Sequence, residues 1–292
     1  MSDISKPTIF VTRRWPADAE AELSKYFTPT FNTEDVPLTT RQIADGFAGH
    51  DALAPTVSDS ITAEIIKAGA SGKGKLVANY GVGVNHIDIE ACKAVSIPVS
   101  NTPGVLTDAT ADITMTLMLM LARRAGEGER ELRAGDWTGW RPTHLMGRQL
   151  SGKTLGIIGM GRIGKAVARR CALGFGMKVV FFNRSKVDDC DDIGAVQLGS
   201  VIDVCAAADF VSLHCAASPD TFEIMNAAAF DAMQSDAFVI NTARGDVIDE
   251  SALIAALDKG YIGGAGLDVF QGEPDINPGL LAASNTVLLP HL

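Results

Sequence analysis

Ten residues constrain this chain more than any others. Leu155–Gly164 read L-G-I-I-G-M-G-R-I-G. Leu155 to Ile158 is a short apolar run, suited to a strand buried on both faces. Gly159, Gly161 and Gly164 follow with the spacing G-x-G-x-x-G, enclosing Met160, Arg162 and Ile163. A helical pattern then runs through Ile163, Val167, Ala168 and Cys171. Each glycine has a separate task. The first permits a tight turn, the second lets backbone approach a pyrophosphate, and the third lets the helix sit close to the strand. The helix start adds free N–H groups and a partial positive charge for the phosphates. A glycine-rich turn without a ligand would use the same residues. The strand before and the helix after favour a dinucleotide-binding unit.

At 292 residues, the chain has room for about two domains. Its 47% apolar content supplies sizeable cores and argues against disorder. A net charge of −10 argues against nucleic acid or an anionic membrane as main partner. Any anion site must therefore rest on local groups. Cys92, Cys171, Cys190, Cys205 and Cys215 are scattered, with no C-x-x-C pair. They are expected to be free thiols in a reducing cytoplasm, with no metal site. The N-terminus lacks a basic-then-apolar signal pattern. The apolar run near Ile113–Leu121 is well short of the ~20 residues that span a bilayer, and reads as a buried helix.

In the first hundred residues, strands are expected at 8–12, 52–54 and 76–79. Helices are expected from Pro16 to about Tyr26, from Thr39–Thr40 with threonine as N-cap, and over Ile61–Gly69. Gly69–Lys75 reads as a turn. Such alternation implies a parallel sheet. Tyr80–Asp88 (Y-G-V-G-V-N-H-I-D) follows a strand end, where open α/β sheets bind ligands. Gly81 and Gly83 there can bare N–H groups for a carboxylate, or simply make a turn. Asn101–Asp112 leads into a long helix ending near Arg124, and the first domain boundary is placed here, giving domains 1–100 and 101–290. Residues 134–148 are polar and irregular but carry Trp137 and Trp140. The two indoles suit either a second copy of the chain or packing on its own body.

Further strands are expected at 155–158, 178–182, 210–213, 237–240, 265–269 and 287–289, with helices at 201–207, 227–233 and 251–259. Six strands with intervening helices match a dinucleotide-binding domain. About 20 residues after the glycines, an NAD-binding version places an acid on the ribose 2′-hydroxyl. Here the strand ends in Asn183, Arg184, Ser185 and Lys186. A guanidinium can fork onto a 2′-phosphate that a carboxylate would repel, so NADP is preferred. NAD remains open through neutral hydrogen bonds of Asn183. Asp188, Asp189, Asp191 and Asp192 read as a solvated loop. At later strand ends stand Arg244, Asp268, Glu273 and His291. An arginine, a glutamate and a histidine at that crevice suit reduction of a 2-keto acid. Structural roles are the alternative, with Asp268 capping a helix and Arg244 pairing with Asp246 or Asp249.

Six ordered motifs now carry a resemblance: G-V-G-V-N-H-I-D (81–88), N-T-P-G-V-L-T-D-A-T-A-D (101–112), G-M-G-R-I-G (159–164), N-T-A-R-G (241–245), G-L-D-V-F-Q-G-E-P (266–274) and L-P-H (289–291). The chain resembles the D-isomer-specific 2-hydroxyacid dehydrogenases, above all the glyoxylate/hydroxypyruvate reductase branch. The resemblance implies two doubly wound parallel-sheet α/β domains, a flavodoxin-like substrate domain and a Rossmann cofactor domain. It implies that backbone at Val82 and Gly83 holds the substrate carboxylate, and that Arg244 binds carboxylate and keto oxygen. His291 would be the general acid, with Glu273 orienting it and raising its pKa. Asp268 would hold the nicotinamide carboxamide. Thr110, His214, Cys215, Thr221, Thr242 and Ala243 would line the cofactor cleft. Leu53 and Val57 would border a small substrate site, and domain closure would exclude water.

The implied partners are a small 2-keto acid and a second subunit in a homodimer, without nucleic acid or membrane. Two departures stand out. The family usually has proline where Ala216 stands, implying a softer cleft wall. It also usually continues beyond L-P-H with a turn and a helix that returns to the first domain, so a closing segment is expected to be missing here, with His291 prone to fray. Two rival readings are a formate dehydrogenase, where glutamine would replace Glu273, and a dinucleotide-sensing corepressor-like protein without turnover.

Overall fold

A computed structural model describes residues 5–292. It divides into two compact units, Met1–Val105 and Leu106–Leu292. The division falls beyond residue 100 because the segment after it stays tied to the first unit: Thr102 N–H donates to Gly81 O at 3.0 Å.

The first unit runs β1 (Thr8–Val11), α1 (Ala17–Tyr26), β2 (Thr28–Phe31), α2 (Thr40–Gly49), β3 (Ala52–Ala54), α3 (Ala63–Ser71), β4 (Leu76–Ala78), α4 (Ile89–Ala94) and β5 (Val99–Ser100). All its pairings are parallel, in the order β2-β1-β3-β4-β5. This is the flavodoxin-like order. The expected threonine cap holds. Thr39 accepts from Gln42 N–H while the Gln42 side chain accepts from Thr39 N–H, a reciprocal cap worth about 1 kcal/mol. β2 was not expected from the sequence. It contains Pro29, which is tolerated because β2 is an edge strand. α3 starts later than expected because Ile61 is committed to a bridge with Ile87, and it extends two residues into the expected turn before capping at Gly72.

The second unit runs α5 (Thr107–Ala122), α6 (Ala125–Ala134), β6 (Thr154–Ile158), α7 (Arg162–Arg169), β7 (Lys178–Phe182), β8 (Val196–Gln197), α8 (Val201–Ala207), β9 (Phe210–Leu213), α9 (Ala227–Ala232), β10 (Phe238–Asn241), α10 (Glu250–Asp258), β11 (Gly264–Leu267), α11 (Pro278–Ala282) and β12 (Thr286–Leu288). Seven parallel strands lie in the order β12-β11-β10-β9-β6-β7-β8. This is the Rossmann order, with its reversal between β6 and β9. The seventh strand beyond the expected six is β8, two residues long on the edge.

Two cores flank this sheet. One joins Val204, Phe230, Val239 and Leu253 from α8, α9, β10 and α10. The other joins Leu117, Met118, Ile157, Val167 and Phe181 from α5, β6, α7 and β7. Fully burying one such side chain contributes roughly 1.5–3 kcal/mol. α5 starts earlier than expected and stops at Ala122. Arg124 then takes a left-handed φ of 53° and opens α6, which the sequence reading did not anticipate. Among the described residues, no helix is long and apolar enough to cross a membrane.

Candidate active site

Because every strand of the second sheet is parallel, all its carboxyl ends share one edge. Gly159–Gly161 follow β6, Arg244 follows β10, Asp268 follows β11, and His291 follows β12. Glu273 sits five residues beyond Asp268. His291 Nδ1 lies 2.8 Å from Glu273 Oε2, and Glu273 Oε1 accepts the Phe270 N–H at 2.8 Å. With Nδ1 committed to a carboxylate, Nε2 is the ring atom left to exchange a proton. Burial works against the ionised form of Glu273. The His291 and Phe270 hydrogen bonds, with the charges of His291 and Arg244, outweigh it and hold the carboxyl below its usual range.

Arg244 is carried by a turn that Asn241 shapes. Asn241 is buried, donates to Arg244 O at 2.8 Å, and accepts from Ala243 N–H at 3.0 Å. A Cβ on Gly245 would lie 2.0 Å from the Phe270 carbonyl carbon. The arginine turn therefore touches the backbone segment that leads to Glu273, which only glycine permits. Burial lowers the Arg244 pKa and the Glu273 charge opposes this; a guanidinium remains charged regardless. Asp249 caps α10 by accepting from Ala252 N–H.

Asp268 is not a helix cap. Its Oδ1 accepts the Leu292 N–H at 2.8 Å, and it is only 5% exposed. Burial pushes its carboxyl above the ordinary value, against the Leu292 hydrogen bond and the His291 charge.

The glycine turn fits a dinucleotide. Gly159 has φ +99°, and a Cβ there would lie 2.6 Å from Cys215 N, so β6 and β9 leave the sheet in backbone contact. A Cβ on Gly164 would meet Gly159 O at 2.4 Å, as a helix packed tightly on its strand requires. Gly161 has open space around it instead, which leaves room for a phosphate to approach the backbone. Beside this turn, His214 Nε2 lies 2.9 Å from Ser212 Oγ, while its buried Nδ1 has no hydrogen-bond partner among the described residues. Burial lowers the His214 pKa to about 3, so the ring is neutral. Burial likewise raises the Cys215 thiol to about 11. An open glycine backbone and an orphaned, uncharged imidazole nitrogen are what a bound dinucleotide would complete.

Other expected residues divide by what their side chains do. Met160 is buried and Ile163 packs on the core, leaving their backbones for a cofactor. Arg162 is exposed at the start of α7. Asn183 Nδ2 bonds Ser185 O and Oγ, and Gln197 on β8 bonds the carbonyls of both residues. That fixed turn presents Arg184, 88% exposed, in a 3.5 Å ion pair with Asp220. The Thr242 hydroxyl lies 2.9 Å from that of Thr114, which in turn donates to Thr110 O. The Thr221 hydroxyl donates to Ala216 O at 2.6 Å and braces its own loop. The aspartates near 190 are more engaged than a solvated loop suggests: Asp188, Asp189 and Asp192 pair with Lys186, Lys165 and Arg169.

In the first unit, Val82 and Gly83 have N–H groups with no acceptor among the described residues. Val57 is exposed. Leu53 is a correction. It is fully buried in the core, because β3 is the central strand and is covered on both faces. Its side chain cannot line a substrate site.

A family description, D-isomer specific 2-hydroxyacid dehydrogenase, NAD binding domain, matches residues 115–292. The chain belongs to this family. It is 38% identical over 291 residues to a glyoxylate reductase of Thermococcus litoralis, covering 98% of this chain and 87% of that one. A Thermus thermophilus protein of known structure is 40% identical, with a TM-score of 0.89, over 97% of this chain and 89% of the other. An NADPH-dependent glyoxylate/hydroxypyruvate reductase of Sinorhizobium meliloti, solved with NADP and malonate, superposes with a TM-score of 0.85 at 31% identity. It spans 98% of this chain and 86% of its own. The second unit is thus the family's nicotinamide-dinucleotide-binding domain. The sequence reading did not single out Asn241, Gly245, Ser212 or Gln197 as site residues. Only Asn241 and Gly245 had a visible signal, as the first and last letters of N-T-A-R-G.

Proposed function

We propose that this dehydrogenase reduces a small 2-keto acid, glyoxylate or hydroxypyruvate first, to the 2-hydroxy acid. The observation that carries the reading is the 2.8 Å His291–Glu273 pair on the same sheet edge as Arg244 and the glycine turn. The reduced nicotinamide supplies the hydride when it is bound. His291 Nε2 gives its proton to the carbonyl oxygen, and Glu273 holds the ring and stabilises its charge. Arg244 grips the carboxylate and polarises the keto oxygen. The Val82 and Gly83 N–H groups of the first unit would bind the carboxylate, and Asp268 would hold the nicotinamide carboxamide. A panel of keto acids assayed with NADPH and NADH tests this. Turnover of glyoxylate or hydroxypyruvate is expected; binding of dinucleotide without turnover of any keto acid would favour a sensor instead. Glu273 at the histidine argues against a formate dehydrogenase.

NADPH is the preferred donor in this reading. The strand end carries no acid, and Arg184 is exposed on a fixed turn. Arg184→Ala is expected to lower kcat/KM for NADPH about tenfold or more while changing that for NADH less than about threefold. Equal losses would refute the 2′-phosphate assignment.

The proposed assembly is a homodimer in the cytoplasm. Leu132, Trp137, Trp140 and Met146 are 62%, 51%, 83% and 67% exposed along one stretch, which supports a second copy over packing on the chain's own body. Trp140→Glu is expected to move sedimentation from dimer to monomer; a wild-type monomer would reject the assignment. Five free cysteines with no disulfide among them support a reducing compartment. Cell fractionation that recovers the protein outside the cytoplasm would contradict this.

A further inference from the structure

The loop after β4 is held by its carbonyl groups. Asn79, 2% exposed, donates through Nδ2 to Gly81 O at 3.1 Å and to Gly83 O at 2.9 Å. Gly81 O also accepts from Thr102 N–H at 3.0 Å. Asn101 Nδ2 donates to Val82 O at 2.8 Å. Three successive carbonyls are therefore anchored by donors from outside residues 81–83.

Asn79 has no spare capacity. Both of its amide hydrogens are used, so its Oδ1, 2.9 Å from His86 Nε2, must accept. A flipped amide would set oxygen against two carbonyl oxygens. His86 consequently carries its proton on Nε2 toward Asn79 and braces it.

The peptide group is planar and trans, so each C=O points opposite the N–H of the next residue. Anchoring Gly81 O therefore aims the Val82 N–H, and anchoring Val82 O aims the Gly83 N–H. Neither of those two N–H groups has an acceptor among the described residues. A flip of either peptide would replace a donor by a carbonyl oxygen, which repels a carboxylate.

We propose that Asn79 and Asn101 are positioning residues that fix the peptide orientation of residues 81–83, so that the Val82 and Gly83 N–H groups stand ready for a substrate carboxylate. The proposal rests on the keto-acid reading above. It assigns Asn101 to Gly83 N–H, and Asn79 to Val82 N–H together with the shape of the whole loop.

The test uses the full chain with Asn101→Asp, Asn101→Ala and Asn79→Asp. Asn101 is on the surface, so its variants stay informative where Asn79→Asp does not fold. Three quantities are read: kcat and KM for glyoxylate, kcat/KM for methylglyoxal, which has no carboxylate, and NADPH affinity by fluorescence. Asn101→Asp is expected to raise KM for glyoxylate about tenfold or more, with kcat changed less than about threefold. NADPH affinity and methylglyoxal kcat/KM should stay within about twofold of wild type. A general structural defect would lower both substrates together, and that result, or an unchanged KM, overturns the proposal. Oxalate affinity by calorimetry is measured in parallel. If wild type reduces no keto acid, the functional reading fails, and the loop proposal is decided by oxalate alone. Tight wild-type binding that weakens tenfold in Asn101→Asp supports it; equal affinities, or no oxalate binding, overturn it.

Discussion

His291→Gln is expected to lower kcat for glyoxylate by about 100- to 10,000-fold, the range for loss of a general acid. NADPH affinity should be nearly unchanged. His291 is exposed and belongs to no core cluster, so thermal stability should hardly move. Glu273→Gln is the companion variant. The carboxylate at 2.8 Å holds the ring through Nδ1. A neutral amide in its place leaves the ring less firmly oriented toward the carbonyl oxygen. kcat for glyoxylate should therefore fall by about tenfold to 100-fold, with NADPH affinity nearly unchanged. Glu273 itself is held below its usual range, so it stays ionised through neutral pH, and its support is lost only as pH falls below the ordinary carboxylate range. An unchanged kcat in Glu273→Gln, measured by initial rates at neutral pH, would separate the glutamate from the acid.

Arg244→Lys is expected to cost about 100-fold or more in kcat/KM, with kcat and KM both affected. Lysine keeps the charge but loses the planar fork that can hold carboxylate and keto oxygen together. Misplacing a polarising group by about 1 Å already costs about 100-fold. The turn under Arg244 is built to prevent such misplacement: Asn241 ties both ends of it, and Gly245 seats it on the Phe270 backbone. Steady-state rates that stay within about fivefold of wild type would mean that charge alone suffices, and that the fork is not used.

How much of this was legible in the sequence depends on whether burial or hydrogen bonding makes the feature. The strands of the second sheet are apolar runs between turns, and Lys178–Phe182 and Phe210–Leu213 have the bounds expected from sequence. β2, β5 and β8 are short edge or near-edge strands with no apolar run to announce them. α6 reads A-G-E-G-E-R-E-L-R-A and buries only Gly126, so it carries no apolar stripe. Leu53 was misjudged because a strand buried on both faces has no alternation to say which way a side chain points. At the site, the reacting groups stand out as charges at strand ends. Their supports do not. Asn79 and Gln197 look like ordinary turn or surface residues until the carbonyls they bind are seen, and Asn241 stands in a motif without showing what it holds.

The central claim is that hydride and proton reach one carbonyl carbon and its oxygen from two defined sources. Its most direct test is a turnover of hydroxypyruvate with NADPH deuterated at the transferable position of the nicotinamide ring. The account predicts D-glycerate carrying one deuterium at C2, formed by wild type and almost abolished in His291→Gln. Unlabelled glycerate, the L-isomer, or equal rates in the two proteins would contradict it.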